Sequence, residues 1–238
     1  MKTLKRIIPV LAIALIAGFM YPAQSEAVPT LQLYSEGATY DTDTESWLTF
    51  DNPFVLQVLG AEQPDSIDYI TDVQLHFAVP DEHWDTSGSI AISGGGVGPL
   101  TINSGDFSVG TPAALDSSKY HGTYPSHYYT VGLPDLLVST AGETVHNYVD
   151  LADGIPLSEV GTDTGDIQYY DVSYSNFFLI HADLTGTAVY EDGNTQSRFA
   201  PFSHDADVQV PEPGSLFLVG SGLTGLWFLR RKVAARKV

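Results

Sequence analysis

Three carboxylates alternate with threonine in one short stretch of the chain. Asp41, Asp43 and Glu45 stand at every second position, and hard cations such as Ca²⁺ need several oxygen ligands around one centre. The stretch lacks the glycine and the closing glutamate of an EF-hand loop. We therefore predict a solvated turn with no metal and no cofactor, and keep a looser Ca²⁺ site as the alternative. Asp163 and Asp166 form a similar, weaker pattern.

Two histidines lie six positions apart in an aromatic segment. Histidine is a common Zn²⁺ ligand, but His121 and His127 make only two ligands, and the sequence nominates no third. We predict structural or surface histidines. The tyrosines around them could stack on sugar rings, although core packing is the commoner role of tyrosine. They are Tyr120, Tyr124, Tyr128 and Tyr129.

The usual sequence marks of a catalytic nucleophile are missing. The chain has no cysteine and no G-x-S-x-G turn. The glycine-rich stretch 93–98 is not followed by the Gly-Lys-Ser/Thr of a phosphate loop, so we interpret it as a turn. Carboxylates are too numerous to single out a pair for glycoside hydrolysis. We predict a protein that is not an enzyme, with a polysaccharide hydrolase as an alternative.

Acidic residues dominate the middle of the chain. The net charge is −19, yet Lys119 and Arg198 are the only bases between residues 28 and 209, where all but two of the 29 acids lie. Nucleic acid is bound through Lys and Arg that displace counterions, so we exclude it as a partner. Such a surface favours divalent cations, basic partners or polyols, and it keeps an exported protein soluble.

Period-two alternation and turn-forming residues predict strands throughout this middle region. Because the chain is 43% hydrophobic and lacks cysteine, its stability must come from an ordinary core. We predict one all-β domain, an antiparallel β-sandwich of the jelly-roll kind, with a short helix possible only in the segment 134–159. The predicted strands are 30–35, 47–50, 54–59, 72–79, 89–93, 128–131, 167–173, 177–184 and 187–190.

The N-terminus has the order of a secretory signal peptide. Three bases precede an apolar run at 7–20, which spans about 21 Å as a helix and is short for a hydrocarbon core of about 30 Å. Small residues at Ser25 and Ala27 place cleavage after Ala27. We predict a signal peptide at 1–27, which forms an N-terminal helix, and an acidic ectodomain at 28–209. An uncleaved anchor is the alternative.

The C-terminal tail, residues 210–238, has three parts. The first is Val210, Pro211, Glu212 and Pro213, whose prolines hold the segment extended because they fix φ and remove backbone donors. Residues 216–229 carry no charge, which predicts a short apolar transmembrane helix of about 21 Å. The third part is basic, and the positive-inside rule keeps it in the cytoplasm. It begins with Arg230, Arg231 and Lys232.

This tail resembles the PEP-CTERM sorting signal in its VPEP motif, its glycine-interrupted apolar helix and its Arg-rich end. The resemblance implies recognition by exosortase, a membrane-embedded transpeptidase-like enzyme, and removal of the apolar part near the motif. It assigns recognition to Val210, Pro211, Glu212 and Pro213. Arg230, Arg231 and Lys232 become retention charges, and the membrane is a transient partner through 216–229. An anchor that is never processed is the alternative.

The ectodomain resembles the choice-of-anchor N family of exported bacterial proteins in the stretches 31–60, 121–132 and 200–213. That resemblance implies export and anchoring without a characterised reaction. Together, these features predict an exported cell-surface or extracellular-matrix protein that exosortase sorts and cleaves, with exopolysaccharide as a partner in a biofilm. A carbohydrate- or calcium-binding adhesion module is the alternative.

Overall fold

The computed structural model describes residues 28–41, 46–62, 66–110, 126–148, 159–200 and 205–209. The predicted signal peptide and sorting tail lie outside these residues, as do the two helices predicted to flank the ectodomain. No helix within the described ranges is long and apolar enough to cross a bilayer.

The first sheet has six strands among the described residues, and its pairings are antiparallel. The strands are β1 (Leu31–Ser35), β4 (Phe54–Ala61), β6 (Ser89–Gly94), β7 (Val97–Asn103), β10 (Glu143–His146) and β11 (Thr162–Ser175). They follow the order β1-β4-β11-β6-β7, and β10 pairs with β11.

The second sheet has eight strands in the described part of the chain. They are β2 (Thr39–Asp41), β3 (Ser46–Thr49), β5 (Ile67–Pro80), β8 (Ser108–Val109), β9 (Ser126–Gly132), β12 (Leu179–Tyr190), β13 (Thr195–Phe199) and β14 (Asp205–Gln209). Their order is β2-β3-β14-β12-β5-β9-β8, and β13 pairs with β12. The pair β3 and β14 is parallel, whereas the other pairs are antiparallel.

One apolar core joins the two sheets. Alternate residues of β5, among them Leu75 and Phe77, are buried in the same cluster as Leu56 and Val58 of β4. Period-two side-chain geometry explains this, because every second residue of a strand faces the same side. Each such buried side chain contributes about 1.5–3 kcal/mol relative to an exposed one. The shared core holds the two sheets together.

A smaller cluster covers the other face of the first sheet. Leu59 packs there with Val145 and with Trp47 of the second sheet. The rings of Tyr34 and Tyr148 stack at 3.8 Å with 12° between their planes, and Tyr34 meets Trp47 edge-on at 5.1 Å. Part of the outer face of this sheet is therefore shielded by aromatic residues.

The connections follow from local backbone chemistry. The turn from β6 to β7 has three successive glycines with positive φ, Gly94, Gly95 and Gly96, a conformation that other residues avoid. The prediction of a turn at 93–98 is confirmed. A short helix, α1 (Val138–Ala141), ends at Gly142 with φ 71°. It lies in the segment 134–159.

The all-β, mostly antiparallel prediction is confirmed, and the described strands form no closed barrel. The jelly-roll assignment stays a prediction. All nine predicted strands overlap observed ones, but the break between 177–184 and 187–190 is wrong, because β12 runs through it opposite a bulge in β5. Sequence reasoning did not predict six short or irregular strands, which are β2, β7, β8, β10, β13 and β14.

Candidate functional site

The predicted sorting residues lie outside the described part of the chain. These are Val210, Pro211, Glu212 and Pro213 of the motif, Arg230, Arg231 and Lys232 of the basic end, and Ala27 of the signal peptide. The described chain reaches Gln209 as the last residue of β14. Because β14 lies between β12 and β3 in the second sheet, the segment before the motif is part of the fold.

The predicted cation loops are only partly described. Asp41 ends β2, whereas Asp43 and Glu45 lie outside the described residues. In the second loop, the Asp163 carboxylate accepts the Thr164 N–H at 2.7 Å. Asp166 accepts the Leu137 N–H at 2.8 Å just before α1. Within the described ranges, no group of three or more His, Cys, Asp or Glu is placed to hold a metal ion.

His127 packs against an aromatic ring, and His121 lies outside the described residues. The His127 imidazole stacks on Trp84, with ring centroids 3.9 Å apart and 9° between the planes. Its Nδ1 lies 3.1 Å from the Asp81 carboxylate. Asp81 begins the 3-10 turn Asp81–His83 that leads into Trp84. His127 therefore links β9 to this turn.

The aromatic residues near His127 contact one another at one edge of the core. Trp84 stacks on Phe177 at 5.3 Å and meets Phe107 edge-on at the same distance. Phe107 lies 6.0 Å from Tyr129. Trp84, Phe107 and Tyr129 are half-buried and pack against the shared core, to which Phe177 belongs. The core-packing interpretation therefore describes Tyr129 better than a sugar platform does, and Tyr128 is half-buried beside it.

A buried polar row crosses the second sheet, and sequence reasoning did not find it. Its centre is His76, which is 1% exposed. His76 Nδ1 lies 2.9 Å from Thr130 Oγ1 of β9, and Nε2 lies 2.9 Å from Thr185 Oγ1 of β12. Since Leu75 and Phe77 enter the shared core, His76 faces the opposite side of the sheet.

Burial decides the charge state of His76. It lowers the pKa of the imidazole from its usual 6.5 to about 4. The nearby Asp183 carboxylate raises the pKa, but its effect is smaller than that of burial. A neutral imidazole has one donor and one acceptor nitrogen, and each can meet one threonine hydroxyl. The row is therefore satisfied by an uncharged histidine.

Asp183 and His181 extend the row along β12. His181 Nε2 lies 3.3 Å from Asp183 Oδ1, and both side chains are about as buried as His76, at 4% and 5% exposure. The second oxygen, Asp183 Oδ2, has no hydrogen-bond partner among the described residues. In sequence, His181 and Asp183 alternate with Ile180, Ala182 and Leu184, a pattern that indicates a solvated strand face. Only the tertiary structure shows that this face is buried.

A bulge opens a pocket beside the polar row. Thr185 pairs with Gln74 and Thr187 pairs with Thr71, so β5 has one residue more than β12 between these positions. Asp72, in the extra stretch, has φ 50°. The pocket has a volume of about 190 Å³. Its lining includes Asp72, Gln74, Thr185, Ser197, Arg198 and Phe199.

Opposite the bulge, core packing requires a glycine in β12. A Cβ on Gly186 would lie 2.8 Å from Ile70 Cγ2 in the core. The strand therefore places Thr185 and Thr187 at the pocket while its own backbone packs on the core side. Thr185 belongs to both features, because its hydroxyl bonds His76 and the residue also lines the pocket.

The solved structures that match this chain include two with less than 10% sequence identity. AvmM, described as catalysing macrocyclization in alchivemycin A biosynthesis, is 7% identical with a TM-score of 0.35, over 80% of this chain and 94% of that one. The collagen-binding domain of the Erysipelothrix rhusiopathiae surface protein RspB is 9% identical with a TM-score of 0.19, over 75% and 48%. No curated protein matches the chain.

A protein-family model matches the C-terminal tail. It is the PEP-CTERM protein-sorting motif, and the match spans residues 209–232. It covers the four motif residues and the three basic residues singled out from the sequence. The match supports export and exosortase-dependent sorting at the cell envelope. The chain carries a PEP-CTERM sorting motif that begins at the end of the last strand described in the structure.

Proposed function

We propose that this protein is an exported cell-surface or extracellular-matrix protein, cleaved by exosortase near its motif and deployed among exopolysaccharide. The observation that carries the proposal is the PEP-CTERM motif at residues 209–232. In this scheme Val210, Pro211, Glu212 and Pro213 are recognised by the enzyme. The apolar segment 216–229 holds the precursor in the membrane until it is cut.

The fold is compatible with a cut in the tail. β14 ends at Gln209 and is paired on both sides. Cleavage at or after the motif therefore leaves every described strand intact. Removal of the signal peptide after Ala27 would likewise keep β1 intact, because β1 begins at Leu31. The mature protein is then the acidic β domain alone.

The ectodomain serves a binding or structural role in this proposal and is not an enzyme. Thr185 and His76 are spaced like a hydroxyl nucleophile and its base, but Thr130, not a carboxylate, occupies the second imidazole nitrogen. Thr185 is also only 8% exposed. We propose that the domain is a jelly-roll-like sandwich, which its two sheets with one core support. We also propose that it is a choice-of-anchor N domain, on the resemblance in residues 31–60, 121–132 and 200–213.

Processing in a host that encodes exosortase tests the sorting proposal. Blots with an antibody against the ectodomain should show a precursor and a shorter mature form. The double variant Pro211→Ala, Pro213→Ala should accumulate the precursor, because the extended recognition segment is lost. Pro99→Ala, an exposed proline in β7, is the matched control and should be processed normally. Unchanged mobility of the double variant, or normal processing in a strain without exosortase, contradicts the proposal.

A further inference from the structure

We propose that the pocket at the bulge between β5 and β12 binds one neutral hexose ring of a polysaccharide. This inference rests on the proposed function, which puts the ectodomain among exopolysaccharide. The lining residues with side chains that can bind a sugar are a carboxylate, an amide, two hydroxyls and an aromatic ring, which belong to Asp72, Gln74, Thr185, Ser197 and Phe199.

Backbone strain points to this place on the sheet. Asp72 has φ 50°, a left-handed conformation in which glycine is the usual residue. A strained non-glycine residue persists where its side chain or backbone has a task, and such residues cluster at binding sites. The Asp72 side chain lines the pocket and is exposed. The bulge thus places the Asp72 carboxylate at the pocket, and a regularly paired strand would have no such irregularity here.

The strand register puts several pocket side chains on one face of the sheet. Thr185 pairs with Gln74 and with Phe199, and Thr187 pairs with Ser197, and the side chains of paired residues lie on the same face. The pair Gly186 and Arg198 points to the other face, because a Cβ on Gly186 would meet Ile70. Sugar hydroxyls can accept from the Gln74 amide and donate to the Asp72 carboxylate, so these two groups can hold one ring.

Thr185 connects the pocket to the polar row beside it. Its Oγ1 is 2.9 Å from His76 Nε2, and His76 is itself fixed by Thr130. The buried polar row therefore fixes one side chain of the pocket lining. Phe199, 37% exposed, offers an apolar surface for the C–H face of a sugar. The polar side chains and the aromatic ring match the two kinds of surface on a pyranose.

Size and charge restrict the ligand. About 190 Å³ is smaller than the roughly 300–1,000 Å³ of pockets for drug-sized ligands, so the pocket suits a single ring. The acidic ectodomain repels anionic polymers. Uronate-rich chains are therefore disfavoured, and neutral hexose polymers are the expected class. The rings around Trp84 are less suitable, because they stack on one another.

An array of neutral gluco-, galacto- and manno-oligosaccharides with matched uronate oligosaccharides tests the inference. The full chain in mild detergent is the sample, and calorimetry measures the affinity for the neutral sugars that bind. We expect selective binding of neutral sugars. Gln74→Leu and Asp72→Gly should each weaken it at least about tenfold, the loss of one directed polar interaction. Phe199→Ala should weaken it as well.

Phe178→Ala is the matched control, because Phe178 is 49% exposed and lies outside the pocket lining; its affinity should equal that of the wild type. Circular dichroism confirms that each variant is folded. Absence of sugar binding, preference for uronates, or binding that survives both Gln74→Leu and Asp72→Gly overturns the inference. Tail processing is scored separately: processing without sugar binding overturns only this site, and sugar binding without processing overturns only the sorting proposal.

Discussion

His76 Nε2 lies 2.9 Å from Thr185 Oγ1, on the side of the second sheet that faces away from the shared core. The imidazole is 1% exposed and bonds a second threonine through its other nitrogen. Protonation would give both nitrogens a hydrogen and would place a charge in a desolvated site. The arrangement therefore makes the stability of the fold depend on pH.

The free energy of unfolding should decrease as the pH is lowered through a window set by His76. Its pKa is about 4 in the folded chain against 6.5 when exposed, so the unfolded chain binds the extra proton first as pH drops. The contribution of the buried, neutral His76 to the free energy of unfolding is constant above pH 6.5 and declines between pH 6.5 and pH 4. Its size is about 3 kcal/mol, from 1.36 kcal/mol per unit of pKa. Urea unfolding of the wild type and His76→Gln at several pH values measures it.

The pH comparison needs a variant of a second histidine as a control, because carboxylates also make stability depend on pH in this range. His83 ends the 3-10 turn and is more exposed, so His83→Gln should keep the pH dependence of the wild type. His76→Gln should be less stable at neutral pH but should lose less on acidification. Parallel pH curves for the wild type and His76→Gln would rule out this role.

Asp72→Gly should stabilise the protein even though it removes a pocket residue. Asp72 holds φ 50°, and glycine adopts this conformation without the steric cost of a Cβ, a gain of about 0.5–1 kcal/mol. Asp171 in β11 is an exposed aspartate without a positive φ. Asp171→Gly should therefore be destabilising by about 0.5–1 kcal/mol. A loss of thermal stability in Asp72→Gly would mean that the side chain supports the fold.

Gly165→Ala should destabilise the first sheet. A Cβ there would lie 2.0 Å from the carbonyl oxygen of Gly60 in β4. That atom belongs to the backbone, so two paired strands must move apart, at a cost of about 2–3 kcal/mol. At Gly98 in β7 an added Cβ meets no atom within 4 Å. Gly98→Ala should be close to neutral in urea unfolding, and equal losses in both variants would contradict the packing argument.

The strands that sequence reasoning predicted are those whose own residues show the alternation. β1, β4 and β5 bury apolar residues at alternate positions, and this pattern is local. β7 contains Gly98 and Pro99, which are typical of turns, and it forms because β6 offers a partner across the hairpin. β14 has two aspartates in five residues and is held between β12 and a parallel β3. Whether such strands form depends on partner strands that their own residues do not reveal.

The polar row and the pocket escaped prediction for a different reason. His76 stands between Leu75 and Phe77, as a solvated residue of an amphipathic strand would, and nothing in the sequence distinguishes a buried outer face from an exposed one. The pocket depends on a bulge, which comes from the register of β5 and β12. The tail is the opposite case, because its three parts are contiguous in sequence and could be identified directly.

His127 contributes to stability mainly through its ring and less through its ion pair. It stacks on Trp84 at 3.9 Å, whereas its carboxylate partner Asp81 is 47% exposed. Stacked rings contribute about 0.5–1.5 kcal/mol beyond buried area, and exposed ion pairs about 0–1 kcal/mol. His127→Ala should therefore cost about 1–2 kcal/mol in urea unfolding, and His127→Phe should recover most of it. If Asp81→Asn cost as much as His127→Ala, or if phenylalanine failed to restore stability, the ion pair would be the dominant contact.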